Sequence, residues 1–128
     1  MCEGDILLAP IPQADAQVKS RPVLLLRVLP RYGDYLVCGI STQLHQHVAG
    51  FDEHLRPGDS DFAESGLLAA SLIRLGFLAV IPSSRIAGTL GSISPERHAR
   101  LLKTLSEFLV ASDRPPETAS QTEPVRSL

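Results

Sequence analysis

Two arginines of this chain lie beside apolar runs, where a charged side chain needs a partner. Arg21 precedes the apolar residues 22–26, and Arg74 lies within the apolar run 72–75. A guanidinium keeps its proton at any ordinary pH, so it must face water, an acid or an anionic ligand where the chain enters the core. The two positions therefore predict positive charges at or near the ends of buried strands.

Hydroxyl and amide side chains accompany these arginines. Ser41, Thr42 and Gln43 follow one apolar run, and Ser71 precedes Arg74 by three residues. Such groups at strand ends often do no more than satisfy the backbone of a turn. Combined with two guanidiniums, however, they form an array suited to binding a phosphate. We therefore expect a phosphate-binding site assembled from several strands.

Other residues that could carry chemistry give weaker signals. His45 and His47 alternate along an extended segment, so they point to opposite faces and do not naturally share a metal ion. Cys38 lies within an apolar run and is predicted to be packed and inert. The chain contains neither a phosphate-binding loop of the Walker type nor a dinucleotide fingerprint. The sequence predicts no metal and no cofactor.

Composition and charge restrict the class of protein. The chain has 128 residues, of which 44% are hydrophobic and 20% charged, as expected for one globular domain. A net charge of −2 argues against a protein that coats nucleic acid, but it allows a local cationic cleft. The absence of tryptophan argues against an extended base-stacking platform. Without a signal peptide or a membrane-spanning run, a cytoplasmic location is predicted.

Turn residues and apolar periodicity divide the chain into elements. A loop is predicted at residues 13–20, and a long polar insertion at 44–65 that contains a possible edge strand. Six strands are predicted, of which the fourth and fifth are separated by Gly76 and the sixth is a short edge strand. The strands are predicted at residues 5–10, 22–29, 35–41, 67–75, 77–81 and 84–86.

One helix is predicted near the end of the chain. Ser94 is a suitable N-cap, Pro95 suits the first helical position, and leucines follow at helical spacing to about residue 111. The fold class is therefore mainly β, a small and strongly bent antiparallel sheet or barrel with a C-terminal helix. The predicted domain covers residues 1–112, and the polar tail 113–128 is predicted to be mobile.

Read in order, these segments resemble the MazF/PemK family of toxins from type II toxin–antitoxin systems. The resemblance spans about residues 3–110 in the order and spacing of the family. The matching segments are Gly4-Asp5-Ile6-Leu7, Lys19-Ser20-Arg21-Pro22-Val23-Leu24, Ile40-Ser41-Thr42-Gln43, Gly66-Leu67-Leu68, Ser71-Leu72-Ile73-Arg74, Ser84-Arg85-Ile86, and Leu90-Gly91 with Ile93-Ser94.

The resemblance implies both a fold and a reaction. The family has a compact barrel similar to that of SH3 domains, with a terminal helix, and it usually forms homodimers. Its members cleave single-stranded RNA without a metal, through attack of the ribose 2′-hydroxyl on the adjacent phosphate. A cognate antitoxin neutralises them, so the implied partners are an antitoxin, RNA and a second copy of the chain.

Roles for individual residues follow from the same resemblance. Arg21 matches the arginine of the family's Arg-Pro pair, Ser41 the hydroxyl residue at the scissile phosphate, and Arg74 the arginine of its Ser-x-x-Arg strand. These three are the implied catalytic residues. The implied substrate-binding residues are Lys19, Thr42, Gln43 and Ser71.

The chain departs from the family where many members carry an acid two residues after the second arginine. Gly76 occupies that position, which leaves Asp15, His45 and His47 as candidates for the general base. The alternative is a MazF-like fold that no longer cuts RNA and acts as a binding module or regulator. A toxin directed against DNA gyrase is a further alternative, because the same fold hosts that activity.

Overall fold

Six antiparallel strands form one sheet in the computed structural model, which describes residues 1–12 and 14–111. The strands are β1 (Asp5–Pro12), β2 (Val18–Val28), β3 (Tyr35–Ser41), β4 (Glu53–Leu55), β5 (Ser71–Ile81) and β6 (Gly88–Ser92). Their order across the sheet is β4-β5-β3-β2-β1-β6, and the sheet curls into a half-barrel. Two helices accompany it, α1 (Phe62–Ser65) and α2 (Pro95–Val110). The predicted fold class is confirmed.

Apolar side chains are buried on both faces of the sheet. Leu24 and Leu26 of β2 pack on the face that carries α2, together with Cys38. Val23 and Leu25 pack on the opposite face. Because successive residues of a strand point to opposite faces, burial on both sides explains the near-continuous apolar run of β2. Burial also raises the pKa of the Cys38 thiol, as expected for a packed residue.

Helix α2 begins as the sequence predicts. The Oγ of Ser94 accepts a hydrogen bond from the Arg97 N–H at 3.1 Å, and Pro95 occupies the first turn. Leu101 and Leu105 are buried against the sheet. No helix within the described ranges is both long and apolar enough to cross a bilayer.

The predicted boundaries differ from the structure at several places. Strand β1 continues to Pro12 and does not end at residue 10, and β5 begins at Ser71 and not at residue 67. Strand β2 begins at Val18, inside the predicted loop, because its first residues pair with β1 in a hairpin. The two strands predicted at 67–75 and 77–81 are one strand, β5, which is bulged after Arg74. The strand predicted at 84–86 is a 3₁₀ turn (Ser83–Arg85), and β6 follows it because pairing with β1 satisfies its backbone groups. The tail 113–128 lies outside the described residues.

An ion-pair network fastens α2 to the rest of the domain. Arg97 is buried and contacts Asp61 at 2.8 Å, Glu53 at 2.9 Å and Asp59 at 3.2 Å. Arg100 adds a second contact to Glu53 at 2.8 Å. Because Glu53 belongs to β4 and Asp61 immediately precedes α1, the two arginines of α2 join three separate segments.

The carboxylate of Asp61 in this network has a strongly lowered pKa. Burial alone would raise its pKa, but hydrogen bonds from Arg97 and the Ser94 N–H, with the charge of Arg97, lower it to about 2. Its ordinary pKa is 3.8, so the folded state binds this proton more weakly than the unfolded chain does. Asp61 therefore stabilises the fold above about pH 4 and loses that contribution as the pH falls towards 2.

We expect Asp61→Asn to lower the free energy of unfolding at pH 7 by about 2–3 kcal/mol. It should also flatten the dependence of stability on pH between about 4 and 2. Urea unfolding at several pH values measures both effects. Asp15→Asn, in an exposed turn, is the control and should change stability by less than about 0.5 kcal/mol. A pH profile of Asp61→Asn that parallels the wild type would contradict the assignment.

Candidate functional site

A cleft of about 710 Å³ opens at one end of the sheet. Its walls come from β1, β2, β3 and β5, from the turn after α1, and from β6. The cleft contains both predicted arginines and most of the predicted polar groups. Its polar side chains are Arg21, Ser41, Thr42, Gln43, Ser71 and Arg74.

Strand register brings these residues together. Val23 of β2 lies opposite Gly39 of β3, which lies opposite Arg74 of β5. Paired residues share one face of a sheet, and so do residues two apart on one strand. Arg21 and Ser41, each two residues from this row, therefore point to the same face as Arg74. The three implied catalytic residues meet in one cleft although 53 positions separate Arg21 from Arg74.

Arg74 is held differently from the arginines of α2. It is half-buried and makes none of the ion pairs found within residues 1–12 and 14–111. Its buried Nε has no hydrogen-bond acceptor among those residues. A half-buried charge without a partner is costly, and an anion in the cleft would offset that cost. The fold thus leaves the charge of Arg74 available to a ligand.

The two serines of the cleft differ in what their hydroxyls can do. The Oγ of Ser41 accepts the Gln43 N–H at 3.0 Å, so its own proton remains available to a ligand. The Ser71 hydroxyl instead donates to the carbonyl oxygen of Ala69 at 2.8 Å, and the residue is only 3% exposed. Phosphate oxygens accept hydrogen bonds, so Ser41 is the better phosphate donor and Ser71 mainly orders the turn.

Four other predicted residues do not line the cleft. Lys19 is exposed on the cleft face of β2, two residues beyond Arg21. Asp15 is exposed in the hairpin turn, where it accepts the Gln17 N–H at 3.1 Å. His45 is exposed in a 3₁₀ turn (Leu44–Gln46).

His47 takes part in local contacts away from the cleft. Its Nε2 donates to the carbonyl oxygen of Asp52 at 3.0 Å, and its ring lies 4.4 Å from that of His54 between centroids. Burial lowers the pKa of His54, and the charges of Arg56 and His47 lower it further. The cleft is lined by no carboxylate or imidazole from the described part of the chain. The role of Asp15, His45 or His47 as general base stays a prediction.

The cleft also has an apolar wall, to which no role could be assigned from the sequence. Leu67, Leu68 and Leu90 form it, and Leu68 is fully exposed at 100%. Gly66 precedes the two leucines with a φ of +73°, and a Cβ there would collide with the backbone carbonyl of Leu90. The wall therefore depends on close backbone contact between the turn after α1 and β6. In the sequence, only the segment Gly66-Leu67-Leu68 indicated this wall.

Asp52 is a second residue that the sequence did not reveal. It is buried, and its carboxylate accepts the Leu75 N–H at 3.0 Å and the Val48 N–H at 3.1 Å. Leu75 is the first residue of the bulge in β5. Asp52 thus ties the loop after Gln43 to the strand that carries Arg74. Within the described ranges, no three histidine, cysteine or acidic side chains are placed to bind a metal ion.

This combination of a small antiparallel half-barrel, a C-terminal helix and a cationic cleft defines a toxin-like fold. The family model for the PemK-like, MazF-like toxin of type II toxin–antitoxin systems matches residues 3–109. The chain belongs to this family.

Comparison of structures agrees with the family match. The Mycobacterium tuberculosis toxin MazF-mt6 superimposes with a TM-score of 0.62, covering 84% of this chain and 98% of that one. Sequence identity between the two is 20%, so the likeness concerns the fold. No curated protein sequence matches the chain.

Two glycines with the same backbone conformation allow the apolar wall to be tested. Gly50 has a φ of +76° with open space around it, whereas Gly66 has a φ of +73° and abuts Leu90. Gly50→Ala should cost only the left-handed penalty, about 1 kcal/mol. Gly66→Ala should cost about 3 kcal/mol or more, because the methyl group also displaces backbone. Equal losses in denaturant unfolding would contradict the contact.

Proposed function

We propose that this chain is the toxin of a type II toxin–antitoxin pair and acts as a metal-independent endoribonuclease on single-stranded RNA. The observation that carries the proposal is that Arg21, the Ser41 hydroxyl and Arg74, whose Nε has no acceptor among the described residues, line one cleft. Two cations and a free hydroxyl proton are the groups that a dianionic phosphorane requires. Membership of the toxin family supports the same proposal.

The proposed reaction uses the RNA's own nucleophile. The ribose 2′-hydroxyl attacks the adjacent phosphorus, the bond from phosphorus to the 5′-oxygen breaks, and a 2′,3′-cyclic phosphate and a 5′-hydroxyl remain. The proton lost from the 2′-oxygen is balanced by the proton gained by the 5′-oxygen. Arg21 and Arg74 stabilise the charge on the phosphorane oxygens, and Ser41 donates to one of them. A guanidinium rarely gives up its proton, so the arginines act through charge.

One observation favours a second function. The cleft side chains described for one protomer offer no carboxylate or imidazole to take the 2′-proton. A binding module that holds RNA or a protein segment without cutting it needs only the cations, the hydroxyl and the apolar wall. Cleavage assays distinguish the two functions directly.

We expect the wild type to cleave single-stranded RNA in EDTA and to leave 5′-hydroxyl ends. Arg74→Ala should lower the rate about 10²–10³-fold, and Arg21→Ala should have an effect of similar size. Arg74→Lys should recover only part of the rate, because an ammonium cannot make a bidentate contact. Arg31→Ala is the control, since Arg31 lies in the exposed turn at the other end of β2 and β3.

The outcomes separate the possibilities. Binding of RNA without cleavage by the wild type would support the binding module and end the ribonuclease proposal. Cleavage that persists undiminished in both arginine variants would overturn the assignment of the site.

We further propose that the protein forms a homodimer and is neutralised in the cytoplasm by a cognate antitoxin. Large apolar side chains are exposed at the end of α2 and on β5. Exposed apolar groups of this size commonly mark contact surfaces between proteins. These side chains are Leu78, Val80, Phe108, Leu109 and Val110.

Sedimentation equilibrium tests the homodimer. We expect the wild type to sediment as a dimer and Val80→Glu to shift it towards the monomer, because a charge in an apolar contact is costly. Tyr32→Glu changes an exposed turn residue and should leave the dimer intact. A monomeric wild type at micromolar concentration would rule out the proposal.

A further inference from the structure

Phe77 is the one aromatic residue among the described side chains that line the cleft. A Cβ placed on Gly39 would lie 3.2 Å from both Cγ and Cδ1 of Phe77, so the ring packs over the bare backbone of that glycine. The side chain is nevertheless 41% exposed. Since Gly39 pairs with Arg74, the ring packs over the strand position opposite that arginine, and both side chains line the same cleft.

The ring reaches the cleft only because β5 is bulged. Gly39 pairs with Arg74 and the preceding Cys38 pairs with Leu78, so three residues of β5 have no counterpart on β3. In a regular strand, alternation would place position 77 on the face opposite to Arg74. The three extra residues reverse the alternation and turn Phe77 into the cleft.

The bulge is also anchored from outside the sheet. The buried carboxylate of Asp52 accepts the N–H of Leu75, a donor that the irregular pairing would otherwise leave unsatisfied. The bulge is thus fixed by a specific contact, and the position of the ring is fixed with it.

We propose that Phe77 stacks on the nucleobase next to the phosphate held by Arg21 and Arg74. This inference rests on the proposed RNA substrate and names a residue that positions it. A nucleobase presents a flat π-face whatever its identity, and stacking on an aromatic side chain contributes about 1–3 kcal/mol. Packing against Gly39 fixes the ring before RNA arrives, so little side-chain entropy is lost on binding.

The absence of tryptophan from the chain gives a direct test. Phe77→Trp introduces a single tryptophan, whose fluorescence a stacked base should quench. The ligand is a short single-stranded RNA with 2′-deoxy substitutions that prevent cleavage, and its binding is followed independently by anisotropy of an end label. We expect saturable quenching with the Kd that anisotropy gives. Tyr32→Trp, at a position 79% exposed in a distant turn, should show no quenching.

A second variant separates stacking from folding. Phe77→Leu keeps an apolar side chain but removes the π-face, and we expect about 10-fold weaker binding or more. The control RNA lacks the base next to the phosphate held by Arg21 and Arg74. Wild type and Phe77→Leu should bind this abasic RNA with equal affinity.

Binding of RNA by anisotropy without quenching in Phe77→Trp would overturn the stacking role and leave the RNA proposal standing. Equal affinity of Phe77→Leu and wild type for the intact RNA would do the same. Failure of the wild type to bind RNA at all would overturn both proposals.

Discussion

The cleft depends above all on the pairing register of β2, β3 and β5. The row Val23–Gly39–Arg74 sets which residues of three strands share a face. A slip of one residue in β5 would turn Arg74 towards the side packed on α2, where burial of an unpaired charge is prohibitive. The apolar alternation that builds the core therefore also disfavours any other register. Gly39, without a side chain, leaves the room at the centre of this row that the Phe77 ring occupies.

The arginines of this domain are used in two different ways. Arg97 contacts three carboxylates and Arg100 contacts one of them, Glu53, so that the two arginines join α2 to β4 and α1. Removing one partner of such a buried network leaves a charge uncompensated, which makes it a strong structural fastening. Arg74 is also partly buried, but the fold provides it with no ion-pair partner among the described residues. Arg74 therefore differs from Arg97 and Arg100 in that its charge stays available within the cleft.

The same network also reaches the site indirectly. Asp61 immediately precedes the short helix α1, and the turn that follows α1 contributes Leu67 and Leu68 to the apolar wall of the cleft. The wall is then held by backbone contact with Leu90 of β6. Anchoring of α1 by Arg97 and close packing of Gly66 thus help to place apolar surface in the same cleft as the two arginines. The cleft combines cationic and apolar groups, which suits a ligand that carries both phosphate and flat rings.

The amino-acid sequence by itself determined the elements whose signals are local. Apolar runs located the central strands, Ser94 and Pro95 marked the start of α2, and the charges beside apolar runs indicated Arg21 and Arg74. These could be read because strand and helix periods and helix caps depend on neighbouring residues. Its position after an apolar run also indicated Ser41, and the family resemblance gave that residue a role.

Only the tertiary structure decided the contacts between residues far apart in the chain. The pairing of Asp61 with Arg97 spans 36 positions, and the bond from Asp52 to Leu75 spans 23. Gly76 indicated an interruption of the apolar run, but the sequence did not show that one strand continues through it with a bulge, or that this bulge turns Phe77 into the cleft. The physical reason is that register, bulges and buried ion pairs are fixed by which strands and helices meet, and no local pattern encodes that choice.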